Sequence, residues 1–234
     1  MAEMENPAEG WGYLASLPAT YQDFTLCLEN EWDGPLYRIF SFRNEQSRRS
    51  ASAVYDKNTQ EYMLRIKIGL TEFCDIRFIH ASRQSFEAIL ASDLLSRLDS
   101  LRQCIPEKME YLFREKNILD WACESELPAE VNGFERFLVP RTCIQATNGS
   151  YLILDYTDFS QDSSLRFFYN IFRDDFFAEY LVLGAPQPTQ SFDSKSLPEL
   201  MEKVRRDLDS ATAELRKRIE AARKLRSRSF AVND

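Results

Sequence analysis

The side chains best suited to chemistry are carboxylates in the C-terminal half of the chain. They follow two predicted strands, and they are Asp155, Asp158, Asp162, Asp174, Asp175 and Glu179. Hard oxygen ligands placed where a strand ends suit Mg²⁺ or Mn²⁺ in a site for phosphoryl transfer or hydrolysis. One hypothesis is therefore a metal-dependent hydrolase that uses Asp155, Asp158 and Asp175.

The same acids are also typical of turns and sheet edges, where carboxylates are solvated. Their spacing completes no metal motif, and Thr157 stands where an Asp-x-Asp pair beginning at Asp155 would need its second carboxylate. On this interpretation we predict that no divalent metal binds at Asp155, Asp158 and Asp162. Their side chains should point to turns or to solvent, and no cofactor is implied.

The chain contains few residues for other kinds of catalytic or nucleotide-binding site. His80 is the only histidine, which excludes any site that needs two. A dyad of His80 with Cys74 would span roughly 20 Å on one straight strand, so that strand alone cannot form it. The chain has seven glycines, and none of them lies in a phosphate-binding loop or a nucleophile elbow.

Composition predicts a soluble, cytoplasmic protein. The 234 residues are 44% apolar, enough for a substantial core, and no apolar run is long enough to span a membrane. The first 20 residues are acidic and lack the basic start of a secretory signal. Five cysteines without a CxxC pair favour free thiols in a reducing compartment. The net charge of −8 disfavours nucleic acid as a partner.

The elements that must position these residues are predicted to be α+β: two pseudo-repeated antiparallel β-meanders, each backed by a helix, with a long C-terminal helix. Residues 1–20 form an acidic segment, 21–119 a first lobe, 120–132 an acidic linker and 133–234 a second lobe. Apolar residues at spacings of three and four predict a helix over 85–104, and Pro106 can start another. A turn at Asn148 and Gly149 and a breaker at 184–191 interrupt the second half.

Similar patterns suggest which parts of the two lobes correspond. Residues 62–64 align with 151–153, and 76–78 align with 165–167. Residues 84–87 then align with 190–193, which leaves one extra strand in the second lobe. We predict that 62–104 and 151–210 superpose as sheet plus helix.

The final helix is predicted to begin near Leu197 and to carry one apolar stripe for about thirty residues, or roughly 45 Å. Its end is basic: Arg216, Lys217, Arg218, Arg223, Lys224, Arg226 and Arg228 accompany only Glu220. Three interpretations stay open: a solvated face with favourable C-terminal charge, a clamp for the acidic N-terminal segment, and a nucleic-acid or membrane contact. In the clamp, Trp11, Tyr13 and Leu14 would contact Leu215, Ile219 or Leu225.

The first functional hypothesis is a non-enzymatic protein-binding module of the bacterial cytoplasmic type: a chaperone, an immunity-type inhibitor or an adaptor. Acidic balance and turn aromatics such as Trp32 favour it. The predicted partner-binding residues are Trp11, Trp32, Leu215, Ile219 and Arg223. The partner is another protein or a second copy of the chain, paired through the C-terminal helix. The metal-dependent hydrolase is the alternative.

Overall fold

A computed structural model describes residues 6–146 and 149–231, with side chains up to Ser227. The predicted turn residue Asn148 and the acids Glu3 and Glu5 lie outside these ranges. The chain divides into two compact units, Met1–Gln103 and Cys104–Asp234. Each contains an antiparallel sheet and helices, which confirms the α+β class with two meanders and a long C-terminal helix. In the described part of the chain, no helix combines the length and apolarity needed to pass through a bilayer.

Unit 1 is a six-stranded meander in which each strand pairs with the next. Its strands are Thr20–Tyr21 (β1), Phe24–Asp33 (β2), Leu36–Asn44 (β3), Arg49–Asp56 (β4), Glu61–Ile68 (β5) and Thr71–Cys74 (β6). Helix α1, Arg83–Arg102, begins where the Ser82 hydroxyl accepts a hydrogen bond from the amide of Ser85. Phe86, Leu90, Leu94 and Leu98 recur on one face and are buried. That face covers the sheet.

Unit 2 is a seven-stranded antiparallel sheet with one long helix on it. Its strands are Glu130–Val131 (β7), Phe134–Leu138 (β8), Ile144–Gln145 (β9), Ser150–Asp158 (β10), Ser163–Asn170 (β11), Asp175–Val182 (β12) and Ala185–Ser194 (β13). Two short helices, Tyr111–Glu115 (α2) and Cys123–Glu126 (α3), precede them, and Leu197–Ala231 (α4) follows. The proximal half of α4 packs on β11, β12 and β13. Residues of α4 such as Leu200, Val204 and Leu208 are buried in the core.

Several predicted elements differ from the structure. The breaker at 184–191 is part of β13, which lies at the sheet edge, where Pro186 and Pro188 cost no ladder hydrogen bond. The helix predicted from Pro106 is a single 3₁₀ turn followed by the five-residue α2. The single strand considered for Cys74 and His80 ends at Cys74, and a 3₁₀ turn follows. The predicted linker 120–132 contains α3 and the buried Trp121, so it contributes to the core of unit 2.

The two units repeat one plan, and hydrogen bonding shows how they correspond. In unit 1, the amide of Leu26 donates to the carbonyl of Ala19 at 2.9 Å, beside the β1–β2 turn. In unit 2, the amide of Arg136 donates to the carbonyl of Ala129 at 2.8 Å, beside the β7–β8 turn. Equivalent residues here are 110 positions apart.

From β3 and β10 onward the separation is 114 positions. The bulge that leaves Ile39 unpaired between β3 and β4 recurs at Ile153 between β10 and β11. The pair Ser41–Ser52 then matches Asp155–Arg166. The same separation relates the buried positions of the helices: Phe86, Leu90, Leu94 and Leu101 correspond to Leu200, Val204, Leu208 and Leu215.

The alignment predicted from sequence is therefore wrong, although the duplication is real. It placed 84–87 of α1 on 190–193, which form part of β13. It also placed 62–64 on 151–153, whereas the pairing registers match β5 with β12. All strands of a meander have the same alternation of apolar and polar residues. An alignment shifted by one whole strand therefore looks almost as similar as the correct one.

Candidate functional site

Asp155, the first of the predicted metal ligands, is fully buried in the middle of β10. Its Oδ1 accepts a hydrogen bond from the Thr157 hydroxyl at 2.8 Å, while Oδ2 has no hydrogen-bond partner. Burial raises the pKa of Asp155 to about 6; the Thr157 hydroxyl, the positive charge of Arg166 and the Ser164 hydroxyl act in the opposite direction. The prediction that this side chain points to a turn or to solvent is wrong.

A row of charged side chains crosses the sheet beside Asp155. Asp155 lies opposite Arg166 of β11, and Arg166 lies opposite Glu179 of β12. The Arg166 Nη2 atom is 2.7 Å from the Glu179 Oε1 atom. The sequence neighbours of all three residues belong to the apolar core shared with α4, and successive side chains of a strand alternate between faces, so the row lies on the other face of the sheet.

The two other predicted ligands lie at opposite ends of β11. Asp158 pairs with Ser163 and Asp175 pairs with Asn170, a separation of seven residues along the strand. At about 3.3 Å per residue this is roughly 23 Å. Asp158 binds Ser160 and Arg216, and Asp175 binds Arg173. These carboxylates cannot share one metal ion.

No other metal or dyad arrangement replaces them within the residues the structure describes. No group of three or more His, Cys, Asp or Glu side chains there is placed to hold a metal ion. The Cys74 Sγ atom lies 3.4 Å from the Met63 Sδ atom, and His80 contacts the carbonyl of Arg77. The hydrolase hypothesis therefore receives no support from the side-chain geometry.

The long helix α4 offers a different candidate, which the repeat makes visible. Arg102, the last residue of α1, corresponds to Arg216 of α4. Both contact the equivalent turn: Arg102 Nε donates to Asp23 at 2.8 Å, and Arg216 Nε donates to the carbonyl of Asn132 at 2.7 Å. Helix α1 ends at this contact, whereas α4 continues to Ala231.

Comparison of the chain with protein-family models, with curated proteins and with solved structures gives no match.

We call residues 217–231 the α4 extension. Among its side chains up to Ser227, Ile219 is the last that is buried, Ala222 is partly buried, and the five residues from Arg223 to Ser227 are exposed. Leu225 is 64% exposed. The Arg226 guanidinium donates to the carbonyl of Leu183 at 3.3 Å, which holds one side of the helix to the sheet. The other side presents basic groups around one apolar residue.

Charge on the extension is mostly uncompensated. Arg218 has an ion-pair partner in Glu214 and lies over the ring of Tyr180. Neither Arg223 nor Lys224 is within ion-pair distance of an acidic group among the described side chains. Such cations are available to an anionic partner.

The predicted binding residues divide into buried and accessible groups. Leu215 and Ile219 are 0% and 3% exposed and belong to the core of unit 2. Trp11 is also buried; its Nε1 donates to Glu87 at 2.6 Å. Arg223 is exposed. Trp32 is partly exposed in the β2–β3 hairpin, with its ring edge-on to Tyr37 at 5.2 Å.

The ring contacts described for Trp11 lie within unit 1. The Trp11 ring lies 6.1 Å from Phe86 of α1 and 6.3 Å from Tyr62 of β5. Trp121 occupies the equivalent position in unit 2 and is also buried. A tryptophan before the first strand thus packs into each unit's own core.

Sequence reasoning predicted the long helix and its basic end, but it did not show where the part equivalent to α1 stops, because the apolar stripe continues without a break. The signal that reveals it is a shared pattern, Trp-x₅-Leu-Pro-Ala-x₄-Phe, at 11–24 and again at 121–134. This pattern fixes where each unit begins. When α1 and α4 are aligned from these starting points, α4 continues 15 residues beyond the end of α1.

Proposed function

We propose that this protein is a non-enzymatic protein-binding module, such as a chaperone, an immunity-type inhibitor or an adaptor. It holds an acidic segment of a protein partner on the α4 extension. The observation that carries the proposal is the difference between two equivalent helices. Helix α1 covers its sheet in 20 residues, whereas α4 runs for 35. The added residues follow the last contact that both units share, at Arg216.

The fold of unit 2 does not require the α4 extension, so the helical conformation of this segment needs a stabilising contact from elsewhere. An isolated helical end in water is marginally stable and frays, because little apolar surface is buried. Leu225 is exposed, and after the buried Ile219 the described anchors of the segment are the partly buried Ala222 and the contact of Arg226 with Leu183. A partner that covers Leu225 would supply the missing apolar burial.

The charges determine the kind of partner. Arg223 and Lys224 directly precede Leu225, so an amphipathic segment with acidic residues next to an apolar one is complementary. Exposed ion pairs contribute about 0 to 1 kcal/mol each, and therefore the charges guide association while the apolar contact holds it. A long polyanion such as nucleic acid would meet the chain's net charge of −8 elsewhere on the surface.

Site-specific photocrosslinking in the native host tests the proposal. A benzoylphenylalanine residue at position 224 should crosslink one protein partner, whose crosslinked peptide is rich in Asp or Glu. The same probe at Lys195, an exposed cation of unit 2, is the matched control. The crosslink at 224 should weaken as salt rises, since screening reduces the attraction.

Purified partner then gives the affinity. Reversing both charges in Arg223→Glu/Lys224→Glu should weaken binding at least tenfold, and Leu225→Ala should weaken it about fivefold, or about 1 kcal/mol. The double variant Lys195→Glu/Arg206→Glu changes the net charge equally and should leave affinity unchanged. Equal crosslinking at 224 and 195, or a crosslinked species that nuclease destroys, contradicts the proposal.

A further inference from the structure

Two cysteines that are far apart in sequence meet in unit 2. The Sγ atoms of Cys104 and Cys143 are 3.8 Å apart. Cys104 lies shortly after the end of α1, and Cys143 lies between a 3₁₀ turn, Pro140–Thr142, and β9. All five cysteines of the chain are thiols in this structure. Only a small closure of this one gap would be needed to reach the bond length of a disulfide, about 2.0 Å.

The two thiols occupy different environments. Cys143 is 1% exposed and donates a hydrogen bond to the sulfur of Cys104. Cys104 is half-buried, so small molecules have access to it, and the Met109 Sδ atom lies 3.8 Å away. The hydrogen bond from Cys143 lowers the pKa of Cys104 despite its burial. An accessible thiol with a lowered pKa beside a buried thiol is the arrangement of redox-sensitive cysteine pairs.

Two of the other cysteines, Cys74 and Cys123, lack this lowered pKa. Burial raises the pKa of Cys123 to about 12, with the neighbouring Glu124 carboxylate adding to the effect. Burial also raises the pKa of Cys74. A high pKa keeps a thiol protonated and slow to react. The lowered pKa and the neighbouring thiol therefore distinguish Cys104 from Cys74 and Cys123.

We propose that Cys104 and Cys143 form a peroxide-sensitive dithiol, in which Cys104 is the attacking residue and Cys143 the resolving one. The Cys104 thiolate attacks one oxygen of hydrogen peroxide, the O–O bond breaks, and the leaving hydroxide takes a proton to become water. Cys104 is then a sulfenic acid. The Cys143 sulfur attacks it, and the S–O bond breaks. The hydroxyl leaves with the Cys143 proton as a second water, so two thiols are oxidised as one peroxide is reduced.

The disulfide would tie the first residue of unit 2 to the segment that precedes β9. Because Cys143 lies between two short elements in a connection rather than in the centre of the sheet, its backbone can adjust. Cys104 likewise lies outside any helix or strand. Neither change would break the ladder between β10 and β11.

Oxidation of the full-length protein tests the proposal. One equivalent of hydrogen peroxide should reduce the number of titratable thiols from five to three, with a loss of about 2 Da from the intact mass. Trypsin separates the two cysteines, since Cys104 lies in the peptide 103–108 and Cys143 in 142–166. Their covalent pair should appear after oxidation and disappear after reduction.

Variants assign the two roles. Cys143→Ser should stop the reaction at a sulfenic acid on Cys104 that dimedone traps, and Cys104→Ser should slow thiol loss at least tenfold. Cys27→Ser, a half-buried thiol of unit 1, is the control and should oxidise like the unchanged protein.

Peptide mapping of the unchanged protein needs no variant, so misfolding cannot obscure the result. The proposal fails if thiols are lost equally at all cysteines, or if the 103–108 and 142–166 peptides remain unlinked while folded protein reacts. A linked pair that forms only in urea would also overturn it.

Discussion

Replacement of Asp155 by asparagine tests the electrostatics of unit 2 directly. The buried carboxyl has a pKa of about 6, compared with roughly 3.9 in an unfolded chain. Because the folded pKa is the higher one, the folded state binds more protons between these values. Stability contributed by this residue is therefore greatest below about pH 4 and is lost as pH rises to about 6.

The shift of about two pKa units corresponds to about 3 kcal/mol. The asparagine side chain in Asp155→Asn has no charge at any of these pH values. About 1 kcal/mol of this is already lost at pH 4.5, so the variant should become more stable relative to the unchanged protein by about 2 kcal/mol between pH 4.5 and 7.5. Arg166 keeps its ion pair with Glu179 in the variant. The equivalent position of unit 1 is Ser41, a neutral side chain whose hydroxyl donates to Glu29 at 2.5 Å, so the fold itself needs no charge there.

Urea titrations at about pH 4.5, 5.5, 6.5 and 7.5 provide the measurement, with hydrogen exchange in β10 and β11 reporting on unit 2 alone. Asp162→Asn is the matched control, because Asp162 is exposed and has a positive φ that asparagine tolerates. A stability difference for Asp155→Asn that stays constant with pH, or that favours aspartate more at pH 7.5, would refute the reasoning. The second of these results would mean that a cation stabilises the buried carboxylate.

Three further predictions concern the same unit. Burial alone would raise the pKa of Asp158, but hydrogen bonds from Ser160 and Arg216 lower it, so Asp158→Asn should cost about 1 to 2 kcal/mol in urea unfolding at pH 7, and the cost should shrink as pH falls. Gly133→Ala should destabilise more than Gly184→Ala in thermal melts: both have positive φ, but only at 133 would the new Cβ approach the Arg216 guanidinium, at 2.5 Å. Leu215→Ala should cost about 2 to 5 kcal/mol and Leu225→Ala about 0.5 or less in the same assay.

Sequence patterns predict most helices and strands here, because the spacing of apolar residues along a segment depends on that segment alone. The spacing of Phe86, Leu90 and Leu94 predicts α1, and alternation predicts β4 and β5. The same patterns fail for β13, because Pro186 and Pro188 are typical of loops. These prolines are tolerated only because β13 lies at the edge of the sheet. Edge position is a property of the sheet, not of the segment.

The candidate sites were harder to predict, because they depend on long-range packing. Nothing local distinguishes Asp155, which is buried, from Asp162, which is exposed in a turn. Likewise, 39 positions separate Cys104 from Cys143, and only the fold brings their sulfurs to 3.8 Å. Of the predicted binding residues, Arg223 alone lies on the α4 extension with its side chain exposed, whereas the neighbouring stripe residues Leu215 and Ile219 are buried.

The duplication also separates what the fold requires from what one copy has added. Trp11 and Trp121, and likewise Arg102 and Arg216, serve equivalent structural contacts in both units. In contrast, Cys143 lies in the connection from β8 to β10, where unit 2 is longer than unit 1. The α4 extension has no counterpart after α1 either. Unit 1 forms the shared fold without these two additions, so the fold does not require them. We therefore connect them with the proposed functions of unit 2, namely partner binding by the α4 extension and peroxide sensing by Cys143.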